Sequence, residues 1–274
     1  MNGHLMKDKL LVVLTWIWII SLATLATIYI AWLIYPIEIQ FLKLEKVVYL
    51  KAETIYYNFN KLMIYLTHPF ISDLNMPSFP SSEDGLKHFA DVKYLFTLAH
   101  GLFVILTFPV IYFLRRGWKQ KSIFLYEGFF KIAIMLPIFI VVCAFLLGFD
   151  QFFTLFHEVL FPGDSTWQFN PLTDPVIWIL PETFFLHCFI IFLLIYETIT
   201  IILLIIGRKH LKLRKYKYEK CRNYNNDIKK HRIGAHFFKL NTDWIKNHCL
   251  ILTCCAVSNN SNKIIICYFS VIIK

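Results

Sequence analysis

The sequence predicts an all-α membrane protein in which four transmembrane helices carry an outer cap of amphipathic helices and loops. Hydrophobic residues make up 57% of the 274 residues, only 17% are charged, and the mean hydropathy is +0.56. Four apolar runs reach the roughly 20 residues that a helix needs to cross a bilayer. Lys and Arg collect at one end of each run, which is typical of the cytoplasmic side.

The first predicted span covers residues 10–35 and follows Lys7 and Lys9. Its polar residues are Thr and Ser, whose hydroxyls can bond back to the helix backbone. The run is too long for a signal peptide, and no small-x-small cleavage site follows it. We therefore expect a retained helix that starts on the cytoplasmic side.

Residues 36–91 form the first predicted outer loop. Apolar residues at helical spacing between Ile37 and Leu66 predict one or two amphipathic helices that lie on the membrane or cover the bundle. Prolines between His68 and Pro80 predict an irregular segment. Ser82, followed by two acidic residues, predicts the start of the next helix.

The other three spans are predicted at residues 92–114, 124–147 and 183–207, with a second outer loop at 148–182. No Lys or Arg occurs from Ile132 to Gly207, so this second loop belongs on the outer side. The first loop contains several Lys, but it is about as long as the limit above which loop charge stops deciding orientation. We expect residues 1–220 to form one membrane domain with both termini in the cytoplasm.

Residues 221–274 have a different character. Scattered Cys and two apolar runs too short to span predict a poorly ordered cytoplasmic tail. None of the seven Cys lies in an outer loop, so no extracellular disulfide framework is indicated. The net charge of +10 follows from topology and anionic lipid better than from nucleic acid. Nucleotide-binding and nucleophile-elbow motifs are absent, and we expect no cofactor.

The second outer loop holds the first candidate for chemistry. From Gly148 to Leu160, Phe residues recur at helical spacing, while Asp150, Thr154 and His157 fall on the other side. An interfacial helix would therefore direct His157 to the polar side. The polar-capable residues downstream include Trp167, Asn170 and Asp174.

His88 and Asp91 lie three residues apart on one helix face at the mouth of the second span. Asp91 could orient His88 as an acid orients the base of a catalytic dyad. Two imidazoles at the outer surface titrate near neutral pH and suit acid–base catalysis. Each His could also be an ordinary interfacial or solvent-exposed residue. A zinc site of His88, Asp91, His157 and a further carboxylate stays open, although the ligand spacing of a zinc motif is absent.

Three further ionisable groups lie within the predicted spans. Glu197 lies near the middle of the fourth span, where a carboxylate indicates either a function or a protonated group hydrogen-bonded inside the bundle. His100 could bond a neighbouring helix, and His187 is interpreted as structural.

Two polar stretches carry a family resemblance. The segments EDGLKHFADVKYLF and FHEVLFPGDSTWQF, the latter followed by NPLTDPVIWILPETFF, resemble the bacterial lipoprotein intramolecular transacylase (Lit) family. The resemblance covers about residues 8–210. It implies a four-helix membrane enzyme acting at the outer leaflet. It also implies that His88 and His157 match the family's two functional histidines.

The implied reaction moves the sn-2 acyl chain of a diacylglyceryl lipoprotein to the α-amino group of the same N-terminal Cys. The partners are then a diacylated lipoprotein and membrane lipid. Such a transfer needs no enzyme nucleophile, because the substrate amine attacks. Our hypothesis makes His157 the general base and His88, held by Asp91, the acid or oxyanion stabiliser, with the reverse order left open. The residues expected to bind substrate are Asp150, Trp167, Asn170 and Asp174.

Two other functions remain as alternatives. One is a non-catalytic membrane protein that binds lipid or lipoprotein. The other is a metal-dependent lipid hydrolase.

Overall fold

The structure is a computed structural model that describes residues 2–231, and side chains from residue 8 to residue 223. Within these limits the regular structure is helical. Seven α-helices follow one another in the described chain: α1 Asn2–Phe41, α2 Leu44–Val48, α3 Ala52–Thr67, α4 Glu83–Gln120, α5 Glu127–Leu147, α6 Phe149–Leu160 and α7 Glu182–His231. Short 3-10 helices lie at Ile123–Tyr126 and Pro175–Trp178.

Four of these helices are long and apolar enough to cross a membrane, which confirms the predicted fold class. The apolar helical segments are Asp8–Phe41, Glu83–Gln120, Ile123–Leu147 and Glu182–Asn223. They extend beyond most of the predicted spans, because hydrophobicity marks only the part in the hydrocarbon and the helix continues into polar sequence.

Three hydroxyl side chains inside α1 are satisfied within their own helix. The hydroxyls of Thr15, Ser21 and Thr27 donate to the carbonyls four residues earlier, at 2.7, 3.0 and 2.8 Å. This confirms the predicted back-bonding, which lets a polar side chain lie in an apolar environment at little cost. Pro residues occur inside α1, α4 and α5, as membrane helices tolerate.

The cap begins where α1 ends. Lys43 and Tyr49 both have φ of 54°, and these left-handed residues break the chain into α1, α2 and α3. α3 buries Ile55, Phe59 and Leu62 on one face, which confirms the predicted amphipathic helix. The chain from 68 to 82 has no regular helix, as its prolines predict.

An aromatic cluster joins the cap to the long helices. Tyr35 of α1 stacks on Phe59 of α3 and meets Phe184 of α7 edge-on. The Tyr35 ring is fully buried, and its hydroxyl donates to the Ile179 carbonyl at 2.6 Å. This cluster fixes α3 against α1 and α7, so the cap is part of the packed core.

Polar contacts between side chains add further links between helices. Both carboxylate oxygens of Glu38 lie 3.0 Å from Nδ1 of His187, which joins α1 to α7. Nε2 of His100 lies 3.0 Å from the Tyr29 hydroxyl, so this His bonds a neighbouring helix as predicted. These contacts agree with structural roles for His187 and His100.

Asp174 anchors the start of α4. Its carboxylate is 2% exposed and accepts hydrogen bonds from the Ser82 N–H at 2.8 Å and the Ser82 hydroxyl at 2.9 Å. The Ser82 hydroxyl in turn accepts from the Gly85 N–H at 3.0 Å, which confirms Ser82 as the N-cap. A Cβ at Gly85 would overlap the Asp174 carboxylate, so only glycine allows this close approach. Asp174 thereby sets the position of the first turns of α4.

Replacing Asp174 by alanine is expected to destabilise the protein by about 2 kcal/mol, because hydrogen bonds to a charged group are lost and buried donors are left unpaired. The effect should appear as a Tm lowered by several degrees in detergent. Asp73→Ala is the matched control, because Asp73 is an exposed acid of the cap. An equal Tm for the two variants would contradict this role of Asp174.

By its internal contacts the chain divides into a unit that ends at Leu211 and a second that begins at Lys212. In the second unit α7 continues to His231, so residues 221–231 of the predicted tail are helical. The remainder of that predicted tail, from 232 onwards, lies outside the described residues.

Candidate active site

Two histidines that are 69 residues apart in the sequence meet in the cap. His88 lies in the second turn of α4, and His157 lies in the last turn of α6. Their ring centroids are 5.8 Å apart, and both side chains are buried, at 7% and 9% exposure. The predicted convergence of these imidazoles is therefore present in the structure.

The ring of His157 has a defined tautomer. Its Nδ1 lies 2.7 Å from the Phe153 carbonyl one turn earlier in α6. A carbonyl oxygen can only accept, so Nδ1 must carry a hydrogen and donate it. In the neutral ring the lone pair therefore lies on Nε2, which is the atom free to take a proton.

Aromatic rings enclose His157. The Trp167 indole stacks on the imidazole with centroids 4.8 Å apart and planes 23° apart. Phe153 contacts the ring from its own helix at 4.3 Å. The sequence predicted that His157 faces the polar side of α6, away from the Phe stripe. In the structure this side is covered at His157, because Trp167 from the segment after α6 lies over the ring. The stacked indole face also stabilises a positive charge on the imidazole.

Burial changes the acid–base behaviour of His157. Loss of water around the ring lowers the pKa of His157 below the usual imidazole value, and the hydrogen bond to Phe153 opposes this only in part. A ring with a lowered pKa is neutral at pH 7. It is therefore in the form that accepts a proton.

The His88 ring lies in a second aromatic pocket. Phe161 and Phe169 meet it edge-on, with centroids at 5.1 and 5.5 Å. Its Nδ1 is buried and has no hydrogen-bond partner among the described residues. A buried N–H without a partner is rarer and costlier than a buried acceptor without one. This favours the tautomer in which Nδ1 holds the lone pair and Nε2 carries the hydrogen.

Asp91 does not orient His88 in this structure. Its carboxylate lies 3.7 Å from Nζ of Lys87 and is 41% exposed. The predicted Asp91–His88 hydrogen bond was wrong. Both residues are on one face of α4, but His88 turns into the aromatic pocket and Asp91 turns towards the ammonium of Lys87.

The residues that were predicted to bind substrate lie at different distances from the two imidazoles. Trp167 contacts His157 directly, as described above. Asn170 is exposed, and its Oδ1 accepts from the Leu172 N–H within a turn. Asp150 is exposed at the start of α6, close to the Glu182 carboxyl group at the start of α7. Asp174 anchors α4. The structure thus brings Trp167 to the imidazoles and gives the other three residues local roles in the cap.

Asp164 and Lys87 were not among the predicted site residues. The Lys87 ammonium pairs with the Asp164 carboxylate, which joins α4 to the turn after α6. This ammonium and the N–H of Thr166 hold the pKa of Asp164 below its usual range, so the carboxylate stays charged. The clue was available: Lys87 precedes His88, and Asp164 lies in the Pro-Gly-Asp turn before Trp167.

The chain is similar to a known family of proteins. The sequence model of the lipoprotein intramolecular transacylase Lit matches residues 9–185. The chain belongs to the Lit family. No curated protein matches the chain significantly.

Three solved structures of the membrane-integral transacylase Lit from Bacillus cereus resemble this Lit-family chain. The first has 29% identity and a TM-score of 0.66, and the match covers 78% of this chain and 99% of that one. The other two carry a single histidine replaced by arginine or by alanine, with identities of 27% and 28% and TM-scores of 0.62 and 0.63. Each match covers 78% of this chain, and 96% and 97% of those chains respectively. The chain is therefore a multi-pass membrane protein of an acyltransferase family.

The zinc alternative gains no support from the geometry of the described residues. Among them, no group of three or more His, Cys, Asp and Glu side chains is placed to hold a metal ion. His88 and His157 lie close together, but Asp91, the third proposed ligand, faces Lys87.

Glu197 of this Lit-family chain lies outside the two-histidine site. Both of its carboxylate oxygens are buried, and neither has a hydrogen-bond partner among the described residues. The hydroxyl of Thr200 donates instead to the main-chain carbonyls of Tyr196 and Glu197.

Proposed function

We propose that the protein moves the sn-2 acyl chain of a diacylglyceryl lipoprotein onto the α-amino group of the same N-terminal Cys. The observation that carries the proposal is the close pair of His88 and His157. Their favoured tautomers differ, because Nε2 holds the lone pair in His157 and carries the hydrogen in His88. The product is a lipoprotein with an N-acyl and an S-monoacylglyceryl group. The substrate amine is the nucleophile, so no serine or cysteine nucleophile is required.

In the proposed mechanism His157 acts as the general base. The amine nitrogen attacks the ester carbonyl carbon, and its proton passes to Nε2 of His157. The amide C–N bond forms as the tetrahedral intermediate develops. Trp167 stabilises the imidazolium that results, because its π-face attracts a positive charge.

His88 supplies the hydrogen-bond donor. Its Nε2–H stabilises the oxyanion and then protonates the sn-2 oxygen as the C–O bond to the acyl group breaks. The proton on His157 afterwards returns to His88, which restores both rings. This order follows from the tautomers that Phe153 and the buried Nδ1 of His88 favour. It supports the assignment of His157 as base and His88 as acid.

The aromatic surroundings assist the reaction physically. Both imidazoles are buried among rings that exclude water, which strengthens hydrogen bonds to developing charge. Holding the amine beside the ester of its own molecule removes the entropy cost of bringing two reactants together, worth roughly 7–11 kcal/mol at most. The acyl chains would lie against the apolar helices that support the cap.

We place this site at the outer face of the membrane, with the chain entering from the cytoplasm. Residues 132–207, which contain α6 and the turns that cover the histidines, lack Lys and Arg. The opposite ends of these helices are basic. Lys and Arg lie in the last turns of α4 and after the apolar part of α7. This placement agrees with the action at the outer leaflet that the family resemblance implies.

The test is to incubate the purified protein with a synthetic diacylated lipopeptide and analyse the product by mass spectrometry. Transacylation leaves the mass unchanged and moves one acyl group onto the amine, which fragmentation detects. Loss of one fatty acid would identify a hydrolase. An unchanged lipopeptide that co-purifies with the protein would identify a binding protein. Either of these two results would overturn the proposal.

The pH dependence of the reaction tests the base. Below the pKa of His157 the ring is protonated and cannot accept a proton, so the rate is expected to fall as the pH decreases through that pKa. Because burial lowers this pKa, the reactivity of His157 towards diethyl pyrocarbonate, which attacks neutral imidazole, should persist to a pH below about 6.5. Peptide-resolved mass spectrometry measures it, with exposed His68 as the reagent standard. A midpoint above 6.5 would contradict a lowered pKa.

A further inference from the structure

One ion pair connects the two segments that carry the histidines of the site. Lys87 is the residue before His88 in α4, and its ammonium pairs with Asp164 in the turn after α6. The same ammonium lies 3.7 Å from Asp91, one helical turn on. Lys87 therefore links the helix that carries His88 to the segment that follows His157.

The turn at Asp164 continues directly to the ring over His157. The Asp164 carboxylate also accepts from the Thr166 N–H at 2.9 Å, and its main-chain carbonyl accepts from Nε1 of Trp167 at 3.0 Å. Trp167 then stacks on His157. A continuous set of contacts thus runs from Lys87 through Asp164 and Trp167 to the imidazole of His157.

We infer that Lys87 and Asp164 form a clasp that positions Trp167 over His157 and sets the separation of the two imidazoles. The inference rests on the proposed function of the two histidines. Neither clasp residue needs to touch substrate, so both are positioning residues for the acyl transfer. The acid–base step depends on the geometry of His88 and His157, and the clasp joins the two segments that carry them.

The exposure of the clasp separates positioning from stability. The Lys87 and Asp164 side chains are 54% and 24% exposed, and ion pairs this accessible to water contribute little to folding. Breaking the pair should therefore leave Tm nearly unchanged. It should nevertheless alter the rate, because a small misplacement of catalytic groups reduces catalysis strongly.

The test is a double-mutant cycle on the full chain. Lys87→Met removes the ammonium, and Asp164→Asn removes the charge but keeps an oxygen that accepts from Thr166. Each is expected to lower kcat by about 10-fold with little change in KM. The double variant should be no slower than either single variant, because both act through one contact. Lys87→Arg should retain most of the activity, and Lys61→Met is the control for loss of a cap lysine.

A second measurement does not depend on turnover. The rate at which diethyl pyrocarbonate modifies His157 reports how well Trp167 covers the ring. Both single variants are expected to react several-fold faster at His157 than the wild type, and Lys61→Met should react at the wild-type rate. This measurement tests whether the clasp positions Trp167 over His157, even if the wild-type protein shows no acyl transfer.

Three results would overturn the clasp. If the losses of kcat in the two single variants multiply in the double variant, Lys87 and Asp164 act separately. Wild-type kcat and wild-type labelling of His157 in both single variants would show that the pair positions nothing. A large loss of Tm in both variants would show that the pair serves stability instead.

Discussion

Replacing His157 by asparagine is expected to slow acyl transfer by about 10²–10⁴-fold, the range that general acid–base catalysis contributes. Asparagine preserves the local structure, because its amide N–H can donate to the Phe153 carbonyl as Nδ1 of His157 does. It lacks a group that takes a proton near neutral pH. The initial rate of acyl migration in a diacylated lipopeptide, followed by fragmentation mass spectrometry, measures the effect.

The matched control for this variant is His68→Asn. His68 is exposed in the cap and is not part of the two-histidine site. Its replacement should leave the rate unchanged. Full acyl migration in His157→Asn, with the protein folded and the control normal, would remove His157 from the mechanism in either role, as base or as acid.

Replacing His88 by phenylalanine is expected to reduce the rate by about 10²–10³-fold, the cost of removing one oxyanion donor. The ring contacts with Phe161 and Phe169 are retained, since phenylalanine has a similar shape. The variant also removes the buried Nδ1 that has no partner among the described residues. The variant should therefore lose much of its rate of acyl transfer while its Tm stays close to that of the wild type.

Two measurements check this separation for His88→Phe. Acyl migration gives the rate, and thermal unfolding in detergent gives Tm. His100→Phe is a useful comparison, because it removes a histidine of the same helix that bonds Tyr29 and lies outside the site. Wild-type turnover in His88→Phe would show that the reaction needs no donor at this position.

The two histidines are expected to act as one unit. If the base and the donor serve the same step, the double variant should be no slower than the slower single variant, because residues that act together have non-additive effects. If the losses of rate in the two single variants multiply in the double variant, each histidine contributes to a different step.

Much of the fold was predictable because a membrane imposes simple rules. Apolar length predicts a span, and Ser82 before two acids predicts the start of α4. The predicted spans, the amphipathic helix of the cap and the irregular segment rich in proline all have counterparts in the structure. The extent of α1 and α7 was less predictable, because helical structure continues after hydrophobicity ends.

The site was predictable in part. His88 and His157 were identified as candidates, and the structure brings them together. The predicted pairing of Asp91 with His88 does not form, because Asp91 faces Lys87. Asp174 holds Ser82, the N-cap of α4, and its predicted contact with substrate stays a prediction. Helical periodicity relates residues only along one element, so it cannot show which neighbour from another segment will reach a side chain first.

The sequence by itself determined that the chain crosses the membrane four times and that two histidines lie at the ends of their helices within polar stretches. Hydrophobic length and charge are local quantities, so they can be obtained from the order of residues. Only the tertiary structure decided that Trp167 covers His157, that Phe153 fixes its tautomer and that Lys87 meets Asp164. These facts depend on how the segment after α6 folds back over α4, and packing between distant segments determines that path.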